Sequence, residues 1–244
     1  MTSDVQQLYD VVEGTWPPAR VWSDGPWTLR DGAGGGKRVS AATASGDFVD
    51  GDIALAEAAM REIGQTPLFM IREGDGALDA LLATRGYDLI DEVVLYKAPI
   101  EILTDLPIPR VTCFPIWEPL AIMSEIWAQG DIGPARLDVM GRAKTKTGVL
   151  ARWNEKPAGV AFAGIHDGVA MVHAVEVLPH QRKQGVAQWL MRAAAIWAEK
   201  QGATEIAVLC VTANKPANAL YTKLGFARAG TYHYRILSDQ RNAP

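Results

Sequence analysis

Cysteine is scarce in this chain: two in 244 residues, Cys113 and Cys210, far apart. That is too few and too separated for a disulfide framework, so a reducing cytoplasm is the expected setting. Positive charge is not in excess either, with 24 Lys and Arg against 28 Asp and Glu. This argues against nonspecific nucleic-acid binding, which depends on neutralising phosphates. No apolar run reaches the ~18 residues of a membrane-spanning helix, so no membrane partner is expected. The opening MTSDVQQLYD is acidic and lacks the basic-then-apolar order of a secretory leader. Hydrophobic residues are plentiful at 48%, enough for a substantial core in one large or two small domains.

Chemistry is concentrated in the C-terminal half. AMVHAVEVLP (Ala170 to Pro179) is short and valine-rich and reads as a strand stopped by proline. The period then changes: Val186, Leu190, Ala193 and Trp197 mark one face of a helix from about Gly185 to Gln201, with Gly202 as its stop. A glycine in the first turn of a helix, as Gly185 is expected to be, allows close approach to backbone N–H groups that have no partner within the helix, and the helix dipole favours an anion there. Arg182 and Lys183 add positive charge to the same turn. The plainer alternative is that Gly185 only eases a tight turn and the basic residues are solvated. TEIAVLCV (Thr204 to Val211) reads as a second strand, NKPANALYTKLGF as a helix with Pro216 in its first turn and Gly225 past its end, and TYHYRIL as a closing strand.

Two patterns in this order carry a resemblance. Arg182-x-x-Gly185-x-Ala187 is similar to the coenzyme loop of the GNAT superfamily of acetyl-CoA-dependent N-acetyltransferases, with alanine for the commoner second glycine. Asn214-x-x-Ala217-x-x-Leu220-Tyr221-x-x-Leu224-Gly225-Phe226 resembles that family's second motif without a gap. The resemblance implies an α/β (α+β) GNAT fold, with a mixed, mostly antiparallel sheet flanked by helices. It implies acetyl-CoA as acyl-donor cosubstrate, lying where two parallel strands splay apart. Backbone around Val175 and Val177 would pair with its amides, and Arg182, Lys183, Gln184, Gly185, Val186 and Ala187 would hold its pyrophosphate. Asn214 would help hold the pantetheine arm, and Tyr221 would sit near the sulfur as general acid. The acceptor would be an amine-bearing small molecule or peptide, and the protein a monomer or homodimer.

An amine of pKa ~10.4 is only about 0.04% neutral at pH 7, so a base is useful. Many members of the family carry a glutamate on one of the splayed strands. Leu209 and Cys210 offer none, and Glu176, set among valines, is the nearest carboxylate, with His173 a weaker candidate. Strand alternation puts Glu176 on the face opposite Val175 and Val177. An ion pair or an exposed strand face would also account for Glu176, and simple packing would account for Tyr221. A noncatalytic acyl-CoA sensor, or transfer of another acyl group or to another acceptor, are the competing functions.

Two other patterns are set aside. His166, His173 and His180 are spaced by seven, but seven residues of strand span about 23 Å, too far for one ion, so no metal is expected. DGAGGGKR (Asp31 to Arg38) has Asp31 and Arg38 where a phosphate loop needs glycine and a hydroxyl residue, and reads as a turn joining WTLR and KRVSAATA as hairpin strands.

Finally, the stretch from Ala54 to Tyr96 repeats the later order of helix, Gly, strand, turn, helix, Gly-aromatic, strand. The glycines are 86 − 64 = 22 apart in the first copy and 225 − 202 = 23 in the second. Leu82 stands where Tyr221 would be, and GDFVDGDIALAE is acidic where the anion-binding turn would be. The expectation is a tandem protein: a degenerate GNAT-like half at 1–98, a proline-containing connector at 99–110 and an acetyltransferase half at 111–244. Segment EPLAIMSEIWAQG (Glu118 to Gly130) should form the first helix of that second half.

Overall fold

A computed structural model describes residues 4–237. In chain order the elements are α1 (Asp4–Thr15), β1 (Arg20–Asp24), β2 (Trp27–Asp31), β3 (Thr43–Ala44), α2 (Asp52–Glu62), β4 (Leu68–Arg72), α3 (Gly76–Thr84) and β5 (Tyr87–Pro99). Then come α4 (Glu101–Thr104), β6 (Cys113–Ile116), α5 (Ala121–Gln129), α6 (Pro134–Arg142), β7 (Thr145–Trp153), β8 (Lys156–His166) and β9 (Val169–Val177). The chain ends with α7 (Val186–Lys200), β10 (Glu205–Val211), α8 (Lys215–Lys223) and β11 (Ala227–Leu237). Antiparallel ladders dominate the mixed sheet, as expected; β9 and β10 are a parallel pair.

The chain groups into two compact units that interleave in sequence. One contains residues 95–210 and 214–229 together with the N-terminal stretch to Pro17; the other contains residues 18–94, 211–213 and the chain from Gly230. Strands β5 and β11 each have residues in both.

In the first unit β6, β7, β8 and β9 form an antiparallel series. Residues Ala158–Gly164 of β8 are buried without alternation, the pattern of a strand covered on both faces. Phe162 and Gly164 face α5 and α1: Phe162 meets the Trp16 ring edge-on at 5.9 Å, and a Cβ on Gly164 would lie 2.9 Å from Thr15. Gly159 faces the other way, toward Leu190 of α7. The apolar face of α7 (Val186, Leu190, Ala194, Ala198) is fully buried against the sheet.

In the second unit β1, β2 and β3 form a small antiparallel sheet. Trp27, Leu29, Ile53, Phe69, Leu82 and Tyr87 make its core. The expected hairpin between WTLR and KRVSAATA is only partly formed. Trp27 and Thr28 pair with Ala44 and Thr43, but Lys37–Val39 is a single tight helical turn rather than strand. Left-handed Ala33, Gly34 and Gly36 curl the intervening loop away from the strand direction, which is why the second strand starts late. Helix α1, strand β1 and helix α6 lie outside the elements expected from sequence, and the expected connector contains the short helix α4.

The two sequence segments with repeated element order share their stops. Gly64, Gly86, Gly202 and Gly225 are all left-handed, with φ of 72, 82, 89 and 92°. Each donates its N–H to the carbonyl three residues back, and after three of them the next N–H reaches five residues back, the Schellman closure.

Candidate active site

Strands β9 and β10 pair in register only from Val169↔Glu205 to Val172↔Val208. Beyond that point they have no mutual pairing, and Ala174–Val177 and Leu209–Val211 are half-exposed. The gap between them is the notch expected for two splayed strands. Leu178 donates its N–H to Ala158 of β8 at 2.9 Å, so the backbone groups of Val177, one residue earlier, point to the opposite edge, into the notch. The Val177 carbonyl accepts from Arg182 Nε at 3.0 Å, which ties the following turn to the strand end.

The turn itself runs through Pro179–Gln181 and then bends with two left-handed residues, Lys183 at φ 61° and Gly185 at 82°. Gly185 is the N-cap of α7 rather than a residue of its first turn, because a left-handed conformation cannot continue the helix. The N–H groups of Lys183, Gln184, Gly185, Val186 and Ala187 donate to no described residue. Arg182, Lys183, Gln184 and Gly185 are exposed, Ala187 is half-buried, and the Val186 side chain is buried beneath them. The Gln184 amide is turned back onto the His180 carbonyl at 3.2 Å. A row of unpaired amides at the start of a 15-residue helix, beside an exposed arginine, suits a diphosphate in both charge and donor count.

Asn214 caps α8: its side-chain oxygen accepts the Ala217 N–H at 3.2 Å, leaving its NH2 exposed. In the same helix Tyr221 is 5% exposed, between the rings of Tyr96 at 5.9 Å and Phe226 at 6.1 Å, and no described residue hydrogen-bonds its hydroxyl. Burial pushes its pKa far above that of an ordinary tyrosine, and negative charge on Cys210 and Glu176 pushes the same way. Tyr221 therefore stays protonated at neutral pH. Burial also pushes the Cys210 thiol up to about 11, which leaves it a poor nucleophile at neutral pH.

Glu176 lies on the face opposite Val177, as alternation implies, but shares that face with His173. Simple alternation would put His173 and Glu176 on opposite faces of β9. A bulge intervenes: one residue of β8, Ala161, opposes two of β9, Ala174 and Val175, and Ala174 is left-handed at φ 51°. Because Phe162 pairs with His173, and Val160 pairs with Glu176, both acquire the face that looks toward α1 and α5. Val175 sits inside the bulge, outside the ladder, and Val177 keeps the opposite face. His173 is buried and bonded to the Thr15 hydroxyl at 2.8 Å, a packing role that the sequence had left open. Glu176 is half-buried, and its carboxyl lies against Gly130. Desolvation raises its pKa, Arg182 opposes that, and Asp131 adds to it.

The three widely spaced histidines have separate surroundings. His166 lies near Asp167 at the end of β8, His173 is interior, and His180 is in the turn. Among the described residues no group of three or more His, Cys, Asp or Glu side chains could hold a metal ion, and no helix is long and apolar enough to cross a membrane.

A mixed sheet with a splayed parallel pair, followed by an amide-lined turn, is the arrangement that the resemblance to the GNAT superfamily implies. Residues 116–226 match the family model described as the Acetyltransferase (GNAT) family. The chain is similar to the Uncharacterized N-acetyltransferase YobR of Bacillus subtilis (strain 168), 24% identical over 245 residues covering 96% of this chain and 98% of that one. Its fold is similar to that of a GCN5-related N-acetyltransferase from Kribbella flavida, with a TM-score of 0.75, 19% identity and coverage of 98% and 97%. It also resembles a tandem GNAT protein from the clavulanic acid biosynthesis pathway, with a TM-score of 0.59, 15% identity and coverage of 86% and 76%. These matches support an acyltransferase of the GNAT kind.

Proposed function

We propose that the protein moves an acetyl group from acetyl-CoA to a primary amine of a small molecule or peptide by direct attack. The observation that carries this reading is the notch between β9 and β10 opening onto the unpaired amides of Lys183–Ala187. The backbone of Val177 would receive the amides of the coenzyme arm as an added strand, and the turn would hold the diphosphate. Asn214, with its oxygen committed to the cap, would offer its NH2 to that arm.

In the transfer, the amine nitrogen bonds to the thioester carbonyl carbon and the carbon–sulfur bond breaks. Glu176 takes the amine proton, directly or through water, and Tyr221 gives its proton to the departing sulfur. The two are coupled. The negative charge of Glu176 makes Tyr221 a weaker acid in the resting site. Once Glu176 is protonated that charge is gone, so the base strengthens the acid at the moment it is needed. Cys210 is protonated at neutral pH, which favours direct attack over an acyl-cysteine intermediate.

The rest of the chain fits a tandem with a degenerate first half divided near 98 and 110. Leu82 and Tyr221 are 139 apart, as are Gly86 and Gly225, and Asp79 and Asn218. At that same offset Tyr96 corresponds to Arg235. Tyr96 Oη donates to Asn218 Oδ1 at 2.7 Å, and Arg235 Nε donates to Asp79 Oδ1 at 2.7 Å. In this reading each half lends its last strand to the helix of the other, which is why the compact units interleave. An exchange of closing strands alters which residues pack together without altering where the halves meet in sequence.

Release of CoA thiol is the measurement that tests the reading. Acetyl-CoA is offered with ethanolamine, putrescine and a lysyl peptide, to the native chain and to Tyr221→Phe. The expected result is turnover of at least one amine and a ~100-fold or greater fall in kcat in the variant, with unchanged acetyl-CoA affinity. Coenzyme binding without turnover on any amine would make the protein a sensor.

A further inference from the structure

We infer that Gly130 is a positioning residue for the reaction: the space left by its missing side chain seats the Glu176 carboxyl, and Trp127, one turn earlier in α5, holds the bulge that aims it. The inference rests on the reading of Glu176 as base. A glycine at a helix end usually serves a left-handed backbone, as Gly202 and Gly225 do here. Gly130 does not, since its φ and ψ are −100° and 23°, open to any residue. Its backbone therefore does not explain it; its neighbour does. A Cβ on Gly130 would collide with the Glu176 carboxyl carbon and lie 2.7 Å from Oε1 and 2.8 Å from Cγ. These atoms end a flexible side chain, so a substitution would be absorbed by moving the carboxyl rather than by disturbing the fold.

Trp127 supplies the second half of the device. It is fully buried, and its indole N–H donates to the Ala174 carbonyl at 2.8 Å, within the bulge that brings Glu176 to the α5 face. One short helix thus holds both the backbone turn that directs the carboxyl and the surface on which it rests. The charged and titratable groups facing Glu176 are Arg182 from the turn before α7, Asp131 beside Gly130, and Tyr221 from α8, with His173 on the same face of its own strand. Moving the carboxyl off Gly130 would expose it to water and change its distance from all of these.

The test uses the full chain with carbon-13-labelled glutamate, as Gly130→Ala, Glu176→Gln and the double variant. For Gly130→Ala we expect thermal stability within a few degrees of native. The NMR titration of Glu176 should move down toward the ordinary carboxylate range, and the acid limb of the pH–rate profile should move with it. With acetyl-CoA and the fastest amine among ethanolamine, putrescine and the lysyl peptide, kcat should fall ~10- to ~100-fold, with KM for acetyl-CoA little changed. Added to Glu176→Gln, the alanine should cost nothing further, since there is no base left to misplace. An unmoved Glu176 titration in Gly130→Ala, or an equal loss in both backgrounds, would overturn the inference. Full activity in Glu176→Gln alone would instead remove the base reading, and the titration would then decide the seat by itself.

Discussion

The turn entering α7 leaves the N–H groups of Lys183–Ala187 without an acceptor among the described residues, whereas the turn entering α2 closes three of its own onto itself. Val49 donates to the Asp52 carboxylate at 2.8 Å, Asp52 to the Val49 carbonyl at 3.0 Å, and Ile53 to the Asp50 carbonyl at 3.4 Å. The Asp50 carboxylate is in turn bound by Arg85. The neighbouring strands differ in the same sense. The β9–β10 notch is half-exposed, while Phe69 of β4 lies in a closed core with Trp27 at 5.4 Å, and Phe48 packs on that Trp27 at 5.7 Å. A helix start becomes an anion site only if the chain refuses to cap it. The α7 turn meets that condition with two left-handed residues and no acidic side chain bonded to its amides; the α2 turn fails it with Asp52 accepting from Val49.

The sharpest way to break this comparison is to substitute the two N-cap glycines. Gly185 is left-handed at φ 82° and Gly51 is right-handed at φ −64°, and an added Cβ would meet nothing within 4 Å at either. Any difference is then conformational. Gly185→Ala should cost about 1–2 kcal/mol of stability. It should also weaken acetyl-CoA binding by ~10-fold or more, measured by calorimetry, because the amides no longer converge. Gly51→Ala should be neutral within about 0.5 kcal/mol and leave coenzyme binding unchanged. Equal losses at both positions would mean that the α7 turn is no more specialised than its counterpart.

What could be read from sequence follows from the range of the forces involved. Strand β9, helix α7, strand β10 and helix α8 announce themselves through local signals: valine runs, apolar residues at helical spacing, Pro216 near a start, Gly202 and Gly225 at stops. Helix α1 has such a signal too. Val5, Leu8 and Val12 recur at steps of three and four, one face of a helix. The bulge at Ala174 had none, because an alanine in a strand gives no sign of a left-handed φ; the ladder with β8 imposes it. Alternation therefore reaches the face of Glu176 relative to Val177, but not the face it shares with His173 across the bulge. Gly130 was legible as a helix stop and nothing more, since its partner is remote in sequence and joined to it only by the fold.

The second contrast is between the caps of the two motif helices, Asn214 and Asp75, also 139 apart. Asn214 accepts a helix N–H, that of Ala217, whereas Asp75 accepts from Arg72, outside its helix. Asn214→Ala should therefore lose about 1 kcal/mol, a fall of about 2–4 °C in Tm for a chain of this size. Asn214→Asp, an equally good cap, should keep that stability but repel the coenzyme. A coenzyme affinity unchanged in both variants would confine Asn214 to capping.

The smallest effect separates Asp79 from Asn218, which hold equivalent places and receive the closing strands through Arg235 and Tyr96. Asn218 cannot titrate. Asp79 is held below the usual carboxylate range, chiefly by its hydrogen bond from Arg235; desolvation opposes this, and the hydrogen bond from His233 adds to the lowering. A depressed folded pKa contributes stability that is fully present above the unfolded value, 3.8, and is lost as pH falls through the folded one. Acid should therefore weaken the Asp79 contact below about pH 4 and leave the Tyr96–Asn218 contact untouched. The pair is partly exposed, so solvent screening holds the contribution below about 1 kcal/mol. Thermal melts from pH 5 to pH 2 would show it as a shallower acid decline in Asp79→Asn, which retains an acceptor but no charge. Asn218→Asp should leave that decline unrelieved, because no arginine or histidine stands where Tyr96 does. If Asp79→Asn declines as steeply as the native chain, the ion pair is idle and the two closing-strand contacts are equivalent in strength as well as in position.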